Sequence, residues 1–190
     1  MKVKFILTFC VVLALVLGCA KPPLAEMDSA KEAVLRAEND ENAVLYASST
    51  LARARDSLRR MQTEADSKRY DAAKTHAAEA VAAAEKAIVD GAAGAERAKD
   101  ESAALLSTLR PLIEEAGRNI NGARYSNLNL NFAELNRELN SASDTTDKAE
   151  EDHLQGRFQD ALEKGRTARS VVSGINERIT GAATLSYEKK

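Results

Sequence analysis

The sequence predicts an all-α protein, arranged as elongated antiparallel helical hairpins or a bundle with small-residue seams. Alanine is very abundant, aromatic residues make up only 4% of the chain and tryptophan is absent. Charged residues make up 29%, and Pro111 is the only proline after Pro23. Apolar positions recur at alternating steps of three and four, which places them on one face of a helix. Held over many turns, this spacing forms a heptad seam that packs against a neighbouring helix.

Five periodic runs define the expected helices. In the third run the seam shifts by one extra residue after Ala98. The runs are Met27, Ala30, Val34, Ala37; Leu51, Ala54, Leu58, Met61, Ala65; Tyr70, Ala73, Ala77, Ala80, Ala84, Ala87, Gly91, Gly94, Ala98, Leu105, Leu109, Leu112, Ala116; Phe132, Leu135, Leu139, Ala142, Ala149; and Phe158, Ala161, Gly165, Ala168, Val172, Ile175, Ile179, Ala182.

Polar residues separate the runs. Loops are expected at 39–42 (NDEN), 66–69 (DSKR) and 155–156 (QG), and Ser48-Ser49-Thr50 predicts an N-cap just before the second run. The third helix is expected from about 69 to 108, since Pro111 should end or kink it nearby. Gly91 and Gly94 either weaken this helix or permit a close helix contact.

The N-terminus reads as a secretion signal. Lys2 and Lys4 precede an apolar run, residues 5–17, which is too short to span a bilayer as a helix. The end of that run, Val16-Leu17-Gly18-Cys19, resembles the lipobox of bacterial lipoproteins. The resemblance implies cleavage before Cys19 and acylation of its thiol. An uncleaved signal anchor, or an ordinary signal with a chance cysteine, is the alternative.

Lipidation at Cys19 would attach the protein permanently to a membrane, because two acyl chains already anchor stably. In proteobacterial lipoproteins an alanine at the next position, here Ala20, accompanies outer-membrane sorting. The resemblance therefore predicts a location in the bacterial envelope, on the outer membrane facing the periplasm. Since Cys10 lies in the signal, the processed chain would hold no free thiol, disulfide or thiolate metal site. Removal of Lys2 and Lys4 with the signal would shift the formal net charge from −2 to about −4, and this mild acidity argues against nucleic acid as a partner.

These features give the expected organisation, including a weak internal repeat. "RYDAAKTHAAEA" (69–80) and "RFQDALEKGRTA" (157–168) match at an offset of 88 residues, so the chain reads as two hairpins of one type. The expected segments are a signal peptide (1–18), a lipid-anchored tether (19–24), a helical hairpin with an extra N-terminal helix (25–116), an Asn-rich irregular connector (117–130) and a second hairpin (131–184).

Residues 19 to about 100 resemble an alanine-rich domain of envelope lipoproteins from diderm bacteria. Ala30-Lys31-Glu32-Ala33-Val34, Tyr46-Ala47, and Tyr70 with Ala73, Ala77 and Ala80 carry the resemblance. The family has no assigned activity, so no site residues follow from it. Some members continue into an OmpA-like peptidoglycan-binding domain, whereas residues 101–190 here read as more helix. A weaker resemblance links 69–80 to the second helix of a tetratricopeptide repeat, but the first-helix signature of that family is not found.

No enzymatic constellation is visible, and the sequence predicts a protein without catalytic activity, metal or cofactor. Its two histidines, His76 and His153, lack a second histidine at i+4 or a paired cysteine. A GxSxG elbow and a phosphate-binding loop are also missing. The many carboxylates are typical of solvated helix faces.

The Asn-rich stretch is the one unusual surface feature. Tyr125, Asn127, Asn129 and Asn131 are candidate binding residues, because side-chain amides beside an aromatic ring can hydrogen-bond glycan hydroxyls or a peptide backbone. The alternative is that the asparagines cap the next helix and tolerate turns, while the neighbouring leucines close the end of the bundle.

The sequence therefore favours a membrane-anchored, non-enzymatic helical scaffold or adaptor that contacts another envelope protein. The N-terminal helix (27–37), the odd one beside two hairpins, is expected to offer an unsatisfied apolar stripe to a partner helix or a second copy. A lipoprotein that binds glycan or peptidoglycan through the Asn-rich stretch is the alternative, and a hydrolase has no residues to support it.

Overall fold

The computed structural model describes residues 21–188, which fold into α-helices joined by short turns, and the predicted all-α class is confirmed. Along this part of the chain the helices are α1 (Leu24–Glu38), α2 (Glu41–Tyr46), α3 (Ser48–Asp66), α4 (Tyr70–Tyr125), α5 (Phe132–Leu154) and α6 (Phe158–Glu188). None of the helices between residues 21 and 188 combines the length and the apolar character needed to cross a membrane.

The chain divides into two compact units, with the boundary between Ala92 and Ala93. The first unit contains α1, α2, α3 and the start of α4. The second contains the remainder of α4 with α5 and α6. Each unit has its own apolar core.

The first unit is built around the predicted small-residue seams. Ala73, Ala77, Ala80, Ala84 and Ala87 of α4 are all buried. Leu51, Ala54 and Met61 of α3 face the same core, as do Met27, Ala30, Val34 and Ala37 of α1. The stripe on α1 is thus covered within its own chain, and the prediction that it is left unsatisfied there is wrong.

Helix α2 was not anticipated, because residues 39–42 read as a plain loop. Asp40 caps it, with its carboxylate accepting a hydrogen bond of 2.7 Å from the backbone N–H of Ala43. The helix lies directly against α4 at Gly91. A Cβ atom at Gly91 would lie 2.5 Å from the backbone nitrogen of Ala43 and 2.6 Å from the carbonyl carbon of Asn42. Gly91 therefore permits the close backbone contact that the sequence left open.

The predicted cap at Ser48-Ser49-Thr50 is wrong. Helix α3 already begins at Ser48, and its N-cap position, Ala47, makes no side-chain capping bond. Thr50 faces α4 instead, where its hydroxyl donates to the Asp90 carboxylate at 3.1 Å. The backbone of α2 leads almost directly into α3, with only Ala47 between them.

The core of the second unit has a larger share of leucine, isoleucine and valine side chains than the first. Leu109 and Ile120 of α4, Leu135 of α5, and Val172 and Ile175 of α6 are at most 2% exposed. Ser102 and Thr146 are fully buried among them. Thr146 donates its hydroxyl to the carbonyl of Ala142 one turn earlier, which satisfies the polar atom without a partner from another helix.

Helix α4 is longer than predicted. It passes Pro111 and continues through residues 117–125, which were expected to be irregular. A proline inside a helix costs about 3 kcal/mol. Core residues lie on both sides of it, because Leu109 precedes Pro111 while Ala116, Ile120 and Ala123 extend the seam beyond it. Packing thus outweighs both the proline and the glycine- and asparagine-rich composition.

The ends of α3, α4 and α5 share one geometry. Each is followed by a residue with positive φ: Lys68 (58°), Asn127 (50°) and Gly156 (78°). The next N–H then bonds to a carbonyl five residues earlier, as in a Schellman motif. The turns predicted at 66–69 and 155–156 are therefore present. The turn at 126–131 replaces the longer connector that was expected.

The internal repeat has a structural counterpart in two of these turns. Arg69 pairs with Glu64 after α3, and Arg157 pairs with Asp152 after α5. Both pairs span five residues and lie at the offset of 88 residues. An aromatic residue, Tyr70 or Phe158, then begins the next helix.

Candidate functional site

The predicted binding residues lie in and beside the turn between α4 and α5, whereas Cys19 lies outside the described residues. Tyr125 is the last residue of α4 and its side chain is 88% exposed. Asn127 and Asn129 are also exposed. The positive φ of Asn127 is a conformation that asparagine tolerates better than most residues, so this residue has a turn-forming role.

The side chain of Asn131 caps the N-terminus of α5. Its side-chain oxygen accepts a hydrogen bond of 3.2 Å from the N–H of Glu134, and its amide nitrogen donates to the Glu134 carboxylate at 3.1 Å. Leu128 and Leu130 are partly buried, and Leu130 packs against the core of the second unit. The capping interpretation is confirmed for Asn131, and Tyr125 and Asn129 are the side chains left open to a ligand.

A buried carboxylate is the centre of a second polar cluster, at the turn between α5 and α6. Asp152 is 3% exposed and lies in the last turn of α5, where the helix dipole disfavours negative charge. One of its oxygens accepts hydrogen bonds from Arg157 and the other accepts one from Lys164. Chiefly the Lys164 bond, and then the Arg157 bond, hold the pKa of Asp152 below its usual value. This ion triad locks the turn.

The next residue, His153, contacts a buried serine on α4. Its Nδ1 lies 2.7 Å from the hydroxyl oxygen of Ser102, which is fully buried. The same hydroxyl donates to the carbonyl of Lys99 at 2.9 Å. A hydroxyl has one proton, so when Ser102 donates it to Lys99 the serine oxygen accepts from His153 and Nδ1 carries the hydrogen; this tautomer is assigned from the hydrogen-bond network. The pair superficially resembles a nucleophile and its base, but the serine side chain is fully buried.

A groove of about 500 Å³ runs beside this pair, between α4 and α5. Its floor is apolar, and Leu154 at its edge is 85% exposed. Arg110 closes one end, where its guanidinium donates to Glu150 at 2.9 and 2.6 Å and to Asp147 at 2.8 Å. These carboxylates raise the pKa of Arg110. The lining residues are Ala103, Leu106, Ser107, Arg110, Glu150, His153 and Leu154.

The first unit has two further shallow grooves. One, of about 460 Å³, lies between the start of α1 and α4 and is bounded by the ion pair of Glu26 with Lys74. The other, of about 400 Å³, lies between α3 and α4 and is lined mainly by polar side chains, including Arg53 and Ser57. Within residues 21–188 no group of three His, Cys, Asp or Glu side chains is placed to hold a metal ion.

Sequence reasoning missed Ser102, Asp152 and Arg110. Two signals pointed to the first two of these residues. Ser102 occupies the seam position between Ala98 and Leu105, where the apolar pattern seemed to skip. Asp152 lies 88 residues after Glu64, so the internal repeat predicts an acidic residue that pairs with the following arginine.

No protein-family model, curated protein or solved structure matches this chain. The resemblance to envelope lipoproteins therefore depends on the sequence motifs alone.

Proposed function

We propose that this protein is a membrane-anchored lipoprotein that serves as a non-enzymatic helical scaffold for another envelope protein. The observation that carries the proposal is the position of Cys19. It directly follows Gly18 at the end of an apolar signal-like run, and it precedes the first helix, which starts at Leu24, by only a few residues. An acylated thiol at this position would hold the helical body close to the membrane surface.

Tethering supplies the mechanism. Confinement to a membrane raises the effective concentration of a binding surface toward partners in the same compartment, without any additional contact. Rigid helical surfaces suit this role, because little conformational entropy is lost when a partner binds to them. The accessible groove between α4 and α5 and the exposed Leu154 provide such a surface in the second unit.

Metabolic labelling tests the anchor. In cells that process the signal, wild-type protein should incorporate radiolabelled palmitate and fractionate with envelopes. Cys19→Ala should lose the label, whereas Cys10→Ala, which changes the other cysteine, should keep it. A Cys19→Ala protein that still incorporates palmitate would refute the anchor. In-cell crosslinking of the wild-type chain should then yield one discrete protein partner if the protein is a scaffold.

Glycan binding is the second candidate, favoured by the exposure of Tyr125 and Asn129 in one short turn. An exposed phenol and an amide can together stack on and hydrogen-bond a sugar ring. The full chain in mild detergent should then pellet with purified peptidoglycan, and the double variant Tyr125→Ala, Asn129→Ala should not. Asn140→Ala on the exposed surface of α5 is the matched control. Equal pelleting of all three proteins would exclude this binding site.

A further inference from the structure

We propose that the groove between α4 and α5 binds an aromatic side chain that carries a hydrogen-bond donor, tyrosine or tryptophan, presented by a partner protein. The inference rests on the proposed scaffold function, because it specifies the partner chemistry. Three features of the groove support it: an apolar floor, one fixed acceptor nitrogen and one immobilised guanidinium.

The acceptor is Nε2 of His153. In the tautomer assigned from the Ser102 contacts, Nδ1 carries the hydrogen and Nε2 carries a lone pair. Within residues 21–188 the ring forms its hydrogen bond through Nδ1, and no buried side-chain nitrogen or oxygen lacks a partner. Nε2 is therefore accessible to solvent. Contact with Phe158, at 5.4 Å between ring centroids, holds the imidazole in place.

The guanidinium of Arg110 is fixed at the other end of the groove. Its hydrogen bonds to Glu150 and Asp147 lie along the edge of the planar group and leave its faces available. Such a face attracts an aromatic ring through cation–π contact and stacking. Because the two carboxylates already hold the group in position, little rotamer entropy is lost when a ring packs on it.

The apolar floor of the groove favours a flat, apolar side chain from the partner. Ala103 presents only a methyl group, Leu106 is 8% exposed, and Leu154 projects at the rim. A purely aliphatic side chain would cover this floor but leave Nε2 of His153 without water or a partner, at a cost of about 1–3 kcal/mol. A phenol or an indole covers the same surface and donates its O–H or N–H to Nε2.

Imidazole NMR of the full chain tests the proposal. The protein, labelled with ¹⁵N at histidine and held in mild detergent at about pH 8, contains two imidazoles, His76 and His153. The free protein should show the Nδ1–H tautomer at His153. Titration with N-acetyltyrosinamide should shift the Nε2 resonance of His153, and N-acetylphenylalaninamide, which lacks only the hydroxyl, should bind about five- to tenfold more weakly.

Two variants distinguish binding in the groove from effects elsewhere in the protein. His153→Phe should bind the two amides equally, because it keeps a ring but removes the acceptor, while Ser102 still donates to Lys99. His76→Phe, on α4 in the first unit, should retain the preference for tyrosine. The test does not depend on Cys19, so its outcome is independent of whether the chain is acylated.

Three results would overturn the proposal. The first is an Nε2–H tautomer at His153 in the free protein. The second is equal binding of both amides to the wild-type chain, or no shift up to the solubility of N-acetyltyrosinamide. The third is a His153 resonance whose chemical shift changes when the wild-type protein is diluted without ligand but does not change when the Tyr125→Ala variant is diluted. That result would identify a second copy, not a different protein, as the occupant.

Discussion

Replacement of Gly91 by alanine should destabilise the first unit, although the same change stabilises most helices. Gly91 lies inside α4, where glycine costs about 1 kcal/mol relative to alanine. The added methyl group would lie 2.5 Å from the nitrogen and 2.7 Å from the Cα of Ala43. Both atoms belong to the backbone of α2, so no side-chain rotation can relieve the clash.

The magnitude follows from two opposing terms. Overpacking a close contact costs about 1–3 kcal/mol, and a backbone clash this short belongs at the upper end of that range. Subtracting the gain in helix propensity of about 1 kcal/mol leaves a net loss of about 2 kcal/mol. With a urea m-value of about 2 kcal/mol/M, the unfolding midpoint of the first unit should fall by about 1 M.

Gly122→Ala is the matched control, because Gly122 lies on the same helix and a Cβ atom there meets nothing within 4 Å. It should stabilise the second unit by up to about 1 kcal/mol. Urea unfolding followed by circular dichroism gives the midpoints. Hydrogen exchange of peptides from α3 and from residues 105–125 assigns each effect to its unit.

The sign of the change in unfolding midpoint on Gly91→Ala tests whether the backbone of α2 contacts α4. If Gly91→Ala unfolds at the same urea concentration as wild type or at a higher one, the backbone of α2 does not contact α4 at this position. The same conclusion follows if hydrogen exchange in α3 is unchanged while the protein as a whole is destabilised.

Three further predictions concern the second unit. The hydrogen bond from Lys164 lowers the pKa of Asp152, so this carboxylate stabilises the fold above its usual pKa near 3.8 and stops doing so as the pH falls through the lower folded-state value. The difference in melting temperature between wild type and Asp152→Asn should therefore be constant from pH 7 to 5 and shrink below about pH 4. A difference that is unchanged down to pH 2 would contradict the ion triad. Leu109→Ala, at a fully buried position, should lower the free energy of unfolding in urea by about 2–5 kcal/mol, whereas Leu154→Ala, at a position 85% exposed, should lower it by less than about 0.5 kcal/mol. Similar losses for the two variants would rule out the assigned core. Asn131→Ala should cost about 1 kcal/mol through loss of the cap on α5, and no loss in the same assay would show that the cap is not needed.

The apolar seams were readable from sequence because alanine and leucine leave a clear pattern at steps of three and four. Ala73, Ala77 and Ala80 are buried where the pattern places them, and so are Ala161 and Ala168 in α6. The all-α fold class follows from that regularity alone. Gly165 is likewise buried, and a Cβ atom there would meet the side chain of Leu105 at 2.7 Å.

Polar members of the seams could not be recognised from residue type. Ser102 and Thr146 are fully buried, and Asp152 nearly so. Each is satisfied by a local carbonyl or by charged neighbours, which reduces the cost of burial. The α4 seam does shift by one residue after Ala98, because the next buried positions are Ser102, Leu106 and Leu109, and the first of these is a serine that the apolar pattern does not mark.

The length of α4 was underestimated for a different reason. Pro111 and the glycines and asparagines at 117–122 have low helix propensity, and propensity is a weak predictor where a helix packs against a core. The short helix α2 was missed because six residues carry too little periodicity, although Asp40 three residues before Ala43 is a capping signal.

The candidate site was only partly predictable. Tyr125 and Asn129 could be identified as exposed polar and aromatic residues in one stretch, and both are exposed. The groove between α4 and α5 could not, since it depends on the register that brings His153 to Ser102, 51 residues apart. The lipidation of Cys19 stays a prediction.

The alanine-lined core of the first unit has a consequence for how its motions can be observed. An alanine methyl carbon is bonded directly to Cα, so no side-chain torsion changes the direction of the Cα–Cβ bond. The axis about which the methyl group rotates therefore moves only with the main chain. Relaxation of ¹³C-labelled alanine methyls at 73, 77, 80, 84 and 87 would therefore measure backbone order at five buried points of one helix.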